Sequence, residues 1–147
     1  MSKPKLGTSK HGKLKHYAVG AIIKKDDKYL LIDRATIPYG WAAPAGHVEE
    51  GKTFEEALYQ KILAETGREI INKKLLVEEE IPWNTCSHNI DCHHWKLYEV
   101  TLEEGKIIID FEGAKSFGWY SSEEIKKLKL ERVWKYWFEG LWSKNNT

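Results

Sequence analysis

Between Thr53 and Gly67 the chain specifies a helix at both ends, and this segment constrains the fold more than any other. Thr53 and Glu56 have the spacing of a capping box, in which hydroxyl and carboxylate each satisfy a backbone N–H that the first helical turn leaves without a partner. Gly67 sits where a left-handed residue ends a helix, and Leu58, Ile62 and Thr66 mark the stripe to be buried. Two strands are expected before it. His16 to Lys24 places Tyr17, Val19, Ala21 and Ile23 on one face, and Tyr29 to Asp33 returns after a turn at Asp26-Asp27.

Strands are also expected over Lys74 to Ile81, His93 to Leu102 and Ser116 to Tyr120, with Glu103-Glu104-Gly105 turning into another over Lys106 to Asp110. Ser121 with Glu124 forms a second capping box. Leu130, Val133, Trp134, Trp137, Phe138 and Leu141 follow the spacing of an amphipathic helix packed on a sheet. The order strand, strand, helix, strands, helix predicts an α+β domain over residues 15–142. The first 14 residues carry Lys3, Lys5, Lys10 and Lys13 with little apolar content, and read as a flexible basic arm. Residues 143–147 read as a flexible tail.

A formal net charge of +1 makes the molecule as a whole no electrostatic match for nucleic acid, so RNA contact would fall to the N-terminal arm. No apolar run is long enough to cross a bilayer, and the N-terminus lacks the apolar middle of a secretory signal. Two cysteines are too few for a disulfide framework. A cytoplasmic protein is expected.

The segment from Gly46 to Arg68 resembles a Nudix box, G-x5-E-x7-R-E-U-x-E-E-x-G-U with U a bulky aliphatic residue. Aligned without gaps, Gly46, Ile62, Glu65 and Gly67 match, while Lys52, Gln60, Lys61, Ala64 and Arg68 do not. The lead-in from Trp41 to Glu49 and the stretch from Phe117 to Glu124 also resemble the family, over nearly the whole domain. The resemblance implies the Nudix fold, a mixed β-sheet sandwiched between α-helices. It also implies an enzyme that cleaves diphosphate linkages in nucleoside diphosphate derivatives with Mg²⁺ or Mn²⁺.

Here the helix departs from that chemistry. Positions 61, 64 and 65 share one face, and an active family member would place glutamates at all three. This chain has Lys61, Ala64 and Glu65, whose charges sum to zero where hard divalent cations need oxygen ligands and countercharge. Lys61 paired with Glu65, and Lys52 with Glu56, would keep such a helix soluble without metal. The resulting expectation is a protein that binds a nucleotide or diphosphate-linked ligand with weak or no hydrolysis. Its ligand contacts are Arg34, Gly46, Lys61, Trp83 and Trp95, with Lys61 on phosphate and the tryptophans on a base. Glu65 is the remaining catalytic candidate, and Glu65 with Glu112 the remaining metal pair. The alternatives are an active hydrolase with a non-standard metal site, and a scaffold contacting protein or RNA, with Trp142 part of a homodimer patch.

Cys86, His88, Cys92, His93 and His94 fall close together. These are residue types zinc prefers, but the spacing is not that of a zinc finger. Zinc at Cys86, His88 and Cys92 is therefore not expected, and the stretch reads as a loop leading into a strand.

Overall fold

The computed structural model describes residues 3–109 and 112–145. In chain order the elements are β1 (Leu6–Thr8), β2 (Leu14–Lys25), β3 (Lys28–Arg34), β4 (Gly40–Ala42), β5 (Ala45–His47), α1 (Phe54–Thr66), β6 (Ile70–Ile81), β7 (Cys92–Leu102), β8 (Ala114–Ser121), α2 (Ser122–Ile125) and α3 (Arg132–Asn145). The strands form one mixed sheet organised around β2. One edge of β2 runs parallel to β7, in register from Lys15↔Cys92 to Ile23↔Val100. Its other edge is shared in turn by β1, β5 and β3, all antiparallel. Asp26 and Asp27 both have positive φ, 52° and 62°, as a two-residue type I′ hairpin requires. Beyond that seam β3 leaves β2 to pair with β4 and β8.

A central strand covered on both faces must be apolar along nearly its whole length, and β2 is. Val19, Ala21 and Ile23 pack with Leu58 and Ile62 of α1 and with Tyr98 and Val100. Ala18 and Ile22 belong to the opposite core, where α3 supplies Val133, Trp134, Trp137 and Phe138. The sheet is thus sandwiched between α1 and α3, as expected for an α+β Nudix fold. Both capping boxes form, and Gly67 closes α1 at φ 72°. No helix of the described residues is long and apolar enough to cross a membrane.

Three expectations are corrected. Leu6–Thr8, within the expected free arm, pairs with Leu14–His16, and Lys5 N–H donates to Val48 O at 2.8 Å, so the sheet holds this part of the arm. Residues 106–109 form no strand. Their backbone serves the end of α1 instead: Ile108 N–H donates to Thr66 O at 2.9 Å and Arg68 Nε to Lys106 O at 2.8 Å. Asp110, the last residue of that expected strand, lies outside the described residues. The helix α3 continues through Asn145, past the start of the expected tail, whose last two residues, 146–147, also lie outside them.

Candidate functional site

Where the edge of β2 passes from β5 to β3, the two halves of the sheet part and leave an open cleft of about 210 Å³. Its walls come from Ala18 on β2, Ala45 to His47 on β5, Lys61 on α1, the loop from Arg34 to Pro38, the loop carrying Asn84 to Ser87, and the start of α3. Drug-sized ligands occupy pockets of about 300–1,000 Å³. At about 210 Å³ the cleft is smaller than that, so a ligand of such size would also lie across the rim.

Lys61 enters the cleft by crossing Gly46. A Cβ on Gly46 would lie 2.5 Å from Lys61 Cε and 2.7 Å from its Cδ, so the glycine makes room for the lysine stem. One turn further along α1, Glu65 is half-buried, and one of its carboxylate oxygens is fully buried without a hydrogen-bond partner. Burial pushes its pKa up to about 7, against the pull of the Lys61 and Arg34 charges. Among the described residues no ion pair joins Lys61 to Glu65 or Lys52 to Glu56, which corrects the expected pairing. Glu56 instead closes the capping box, and Glu55 reaches Lys73 at 3.4 Å. The face therefore offers one carboxylate beside an ammonium, and does not fit the all-oxygen cage that Mg²⁺ requires. Glu112 adds nothing to it: it is exposed in the turn before β8 and outside the cleft.

Arg34 lines the cleft, with its Nε donating to Pro38 O at 2.6 Å and Nη2 reaching Ile37 O at 3.4 Å. Its charge acts on two acids, Glu65 and Glu131. Glu131 is 5% exposed, and burial raises its pKa to about 7, opposed by Arg34. The Glu131 N–H donates to Trp41 O at 2.9 Å, which ties the start of α3 to β4. Gly40, at φ 126°, permits this approach, since a Cβ there would lie 2.5 Å from Glu131 N. Sequence reasoning missed Glu131 because its place at the head of an apolar stripe marks it only as a surface residue.

The opposite wall carries histidines. His16 and His93 are register partners on β2 and β7, and His47 pairs opposite Ala18, two residues along β2. All three therefore project from one face of the sheet. His47 Nε2 lies 3.3 Å from His93 Nε2, and Cys86 Sγ lies 3.7 Å from His16 Nδ1. Burial, helped by neighbouring imidazoles, lowers the pKa of His47 to about 3 and of His93 to about 4, so the two are neutral at pH 7. Burial also lowers that of His16, with a smaller contribution from His88.

The expected grouping of Cys86, His88 and Cys92 is thus rearranged. Strand alternation sends Cys92 and His94 to the face opposite His93, where His94 Nε2 meets Glu78 Oε2 at 2.7 Å. His88 stays exposed, its ring 5.7 Å from that of His47. Of the expected aromatic contacts, Trp95 borders the cleft but is 5% exposed, its Nε1 donating to Asn84 Oδ1 at 2.9 Å. Trp83 lies outside the cleft, with the Arg132 guanidinium over its ring and Tyr136 meeting it edge-on. Neither ring presents a face to a base.

Residues 14–139 match the model of the NUDIX domain. The chain is 50% identical over 52 residues to the ADP-ribose pyrophosphatase of Methanocaldococcus jannaschii, a stretch covering 34% of this chain and 31% of that protein. The matched stretches span only 24% to 43% of the length of such curated relatives. Among solved structures, a MutT NUDIX hydrolase from Burkholderia pseudomallei superposes with a TM-score of 0.73 at 21% identity, covering 85% of this chain and 96% of that one. The NUDIX domain of Shewanella oneidensis NrtR, crystallised with ADP ribose, gives 0.73 at 16% identity over 92% and 91%.

Proposed function

The chain belongs to the NUDIX domain family, and from that premise we propose that it binds a nucleotide or nucleoside-diphosphate-linked ligand in the cleft, with weak or no metal-dependent hydrolysis. The observation that carries this reading is Lys61, an ammonium laid across Gly46 into the cleft from the helix face that the family's chemistry would fill with carboxylates. A lysine supplies charge for binding phosphate oxygens, but it cannot lower the pKa of a water molecule as a metal ion does. Arg34 brings a second cation whose geometry the Ile37 and Pro38 carbonyls already fix.

The two acids reinforce the case. Glu65 and Glu131, each with a pKa of about 7, are partly protonated at neutral pH, so they repel a polyanion less than ordinary carboxylates would. Relatives named for ADP-ribose, an enzyme from M. jannaschii and a ligand-bound domain from S. oneidensis, make ADP-ribose the first probe to use. One observation favours a second reading, an active hydrolase. Glu131 is an acid in the cleft with a pKa near the operating pH of a general base.

Two measurements on the full chain separate these readings. Calorimetry with ADP-ribose, nucleotide sugars, dinucleotides and nucleoside triphosphates should show saturable binding to one of these classes. Phosphate-product analysis of the same panel with Mg²⁺ or Mn²⁺ should show turnover far below the range of about 1–10³ per second usual for enzymes. Turnover within that range sinks the binding-only reading. The double variant Lys61→Glu, Ala64→Glu returns two carboxylates to the face and should gain Mg²⁺-dependent hydrolysis.

A further inference from the structure

We propose that His16, His47, His93 and Cys86 form a tetrahedral transition-metal site of the zinc class in the wall of the cleft. The donor atoms of these four residues all lie within 4.8 Å of one another. With Zn–N bonds of about 2.0–2.1 Å and Zn–S bonds of about 2.3 Å, a regular tetrahedron has N···N edges of about 3.3 Å and N···S edges of about 3.6 Å. The His47–His93 separation of 3.3 Å and the Cys86–His16 separation of 3.7 Å are two such edges already formed. Small side-chain rotations close the longer ones.

Several features point the same way. The set is three imidazoles and a thiol, with no carboxylate, which suits zinc, copper or nickel and disfavours Mg²⁺ and Ca²⁺. Convergence from different directions, three donors from the sheet and one from the loop above it, favours a tetrahedral ion over a square-planar one. The histidines are held on paired strands, at register positions that set all three on one face. Asn84, in the same loop as Cys86, is tied to Trp95 by a buried hydrogen bond, so that loop is already fastened at one end.

Four protein ligands make the site closed, and its role structural. Binding would pin the loop around Cys86 to β2, β5 and β7. It would replace the thiol proton, released to solvent, with a dication. Three neutral imidazoles, a thiolate and M²⁺ then sum to +1 on a wall that carries no net charge without the ion. The benefit of that charge to a phosphate ligand rests on the reading proposed above, but the metal site itself does not.

The test uses the purified full chain, stripped with chelator and titrated with Co²⁺. One equivalent should produce the intense visible bands of tetrahedral cobalt and a thiolate-to-metal charge-transfer band, and Zn²⁺ should displace them. Cys86→Ser should remove the charge-transfer band, His93→Ala should weaken Co²⁺ affinity at least tenfold, and Cys92→Ser should change neither. The weak spectrum of octahedral cobalt without a stoichiometric end point overturns the site, as does a charge-transfer band lost on Cys92→Ser but kept on Cys86→Ser. The wild-type titration decides even where a variant fails to fold. ADP-ribose affinity is measured separately, so its absence would count against the ligand reading and leave the metal site standing.

Discussion

Replacing Glu131 by glutamine keeps the size of the side chain and removes its titration. The acid is 5% exposed, and its pKa moves from an ordinary 4.5 to about 7 on folding. The folded state therefore holds a proton that the unfolded chain has released, so this group's stabilisation is complete below pH 4.5 and lost as pH rises through 7. At roughly 1 kcal/mol or a little more per unit, a shift of this size makes the wild type lose about 2–3 kcal/mol between pH 5 and pH 8.5 through this one residue. Glu131→Gln should lose that much less. Urea unfolding followed by tryptophan fluorescence at the two pH values measures the difference, in which contributions from other groups cancel. Parallel pH profiles for the two proteins would show that Glu131 is ionised in the folded state at ordinary pH, and the account of the cleft's charge would fail with it.

Lys61→Ala should weaken ADP-ribose binding by about 10- to 100-fold, the loss of a charge-assisted hydrogen bond worth about 1.5–3 kcal/mol, as measured by calorimetry. Gly46→Ala should lower affinity toward that of Lys61→Ala while changing the melting temperature little, because the added Cβ meets the far end of a flexible lysine. Thr53→Ala removes the cap of α1 and should cost about 1 kcal/mol in urea unfolding, with ligand affinity kept once the protein is folded. Affinity for ADP-ribose should rise as pH falls from 8 to 6, since Glu65, held up near 7 by burial, takes up a proton and stops repelling the diphosphate. A flat calorimetric profile over that range would remove Glu65 from the site.

What could be read in the sequence was local. Thr53 with Glu56 and Ser121 with Glu124 announce their helices because a cap needs only residues within one turn, and both boxes form. The stripe through Trp134, Trp137 and Phe138 reads from period alone, and the three are buried. The misses depend on distant partners. Leu6–Thr8 has little apolar pattern of its own and becomes a strand because the edge of β2 is open beside it. Trp95 looks the same in sequence whether it packs in the core or stacks on a base. The histidine cluster spans residues 16 to 93, and no spacing rule connects them. Only the parallel register of β2 with β7, and the antiparallel register of β5 on β2, make neighbours of His16, His47 and His93.

The box helix shows how the fold can be kept while the charge on one helix face changes. Its buried stripe, Leu58, Ile62 and Thr66, packs on the sheet, and Thr66 Oγ1 donates to Ile62 O at 2.6 Å. Those contacts, with the two caps, hold α1 in place whatever stands on its other faces. Lys61 and Glu65 lie one turn apart off that stripe, and Ala64 is exposed, so exchanging acid for lysine or alanine there costs the core nothing. The exchange alters only the charge that the helix presents. With carboxylates it would draw cations to the cleft; with Lys61, beside Arg34 and two acids near their pKa, the proposed function has it draw an anion instead. Substitutions at positions 61 and 64 should therefore move ligand affinity and metal dependence while leaving the unfolding midpoint where it is.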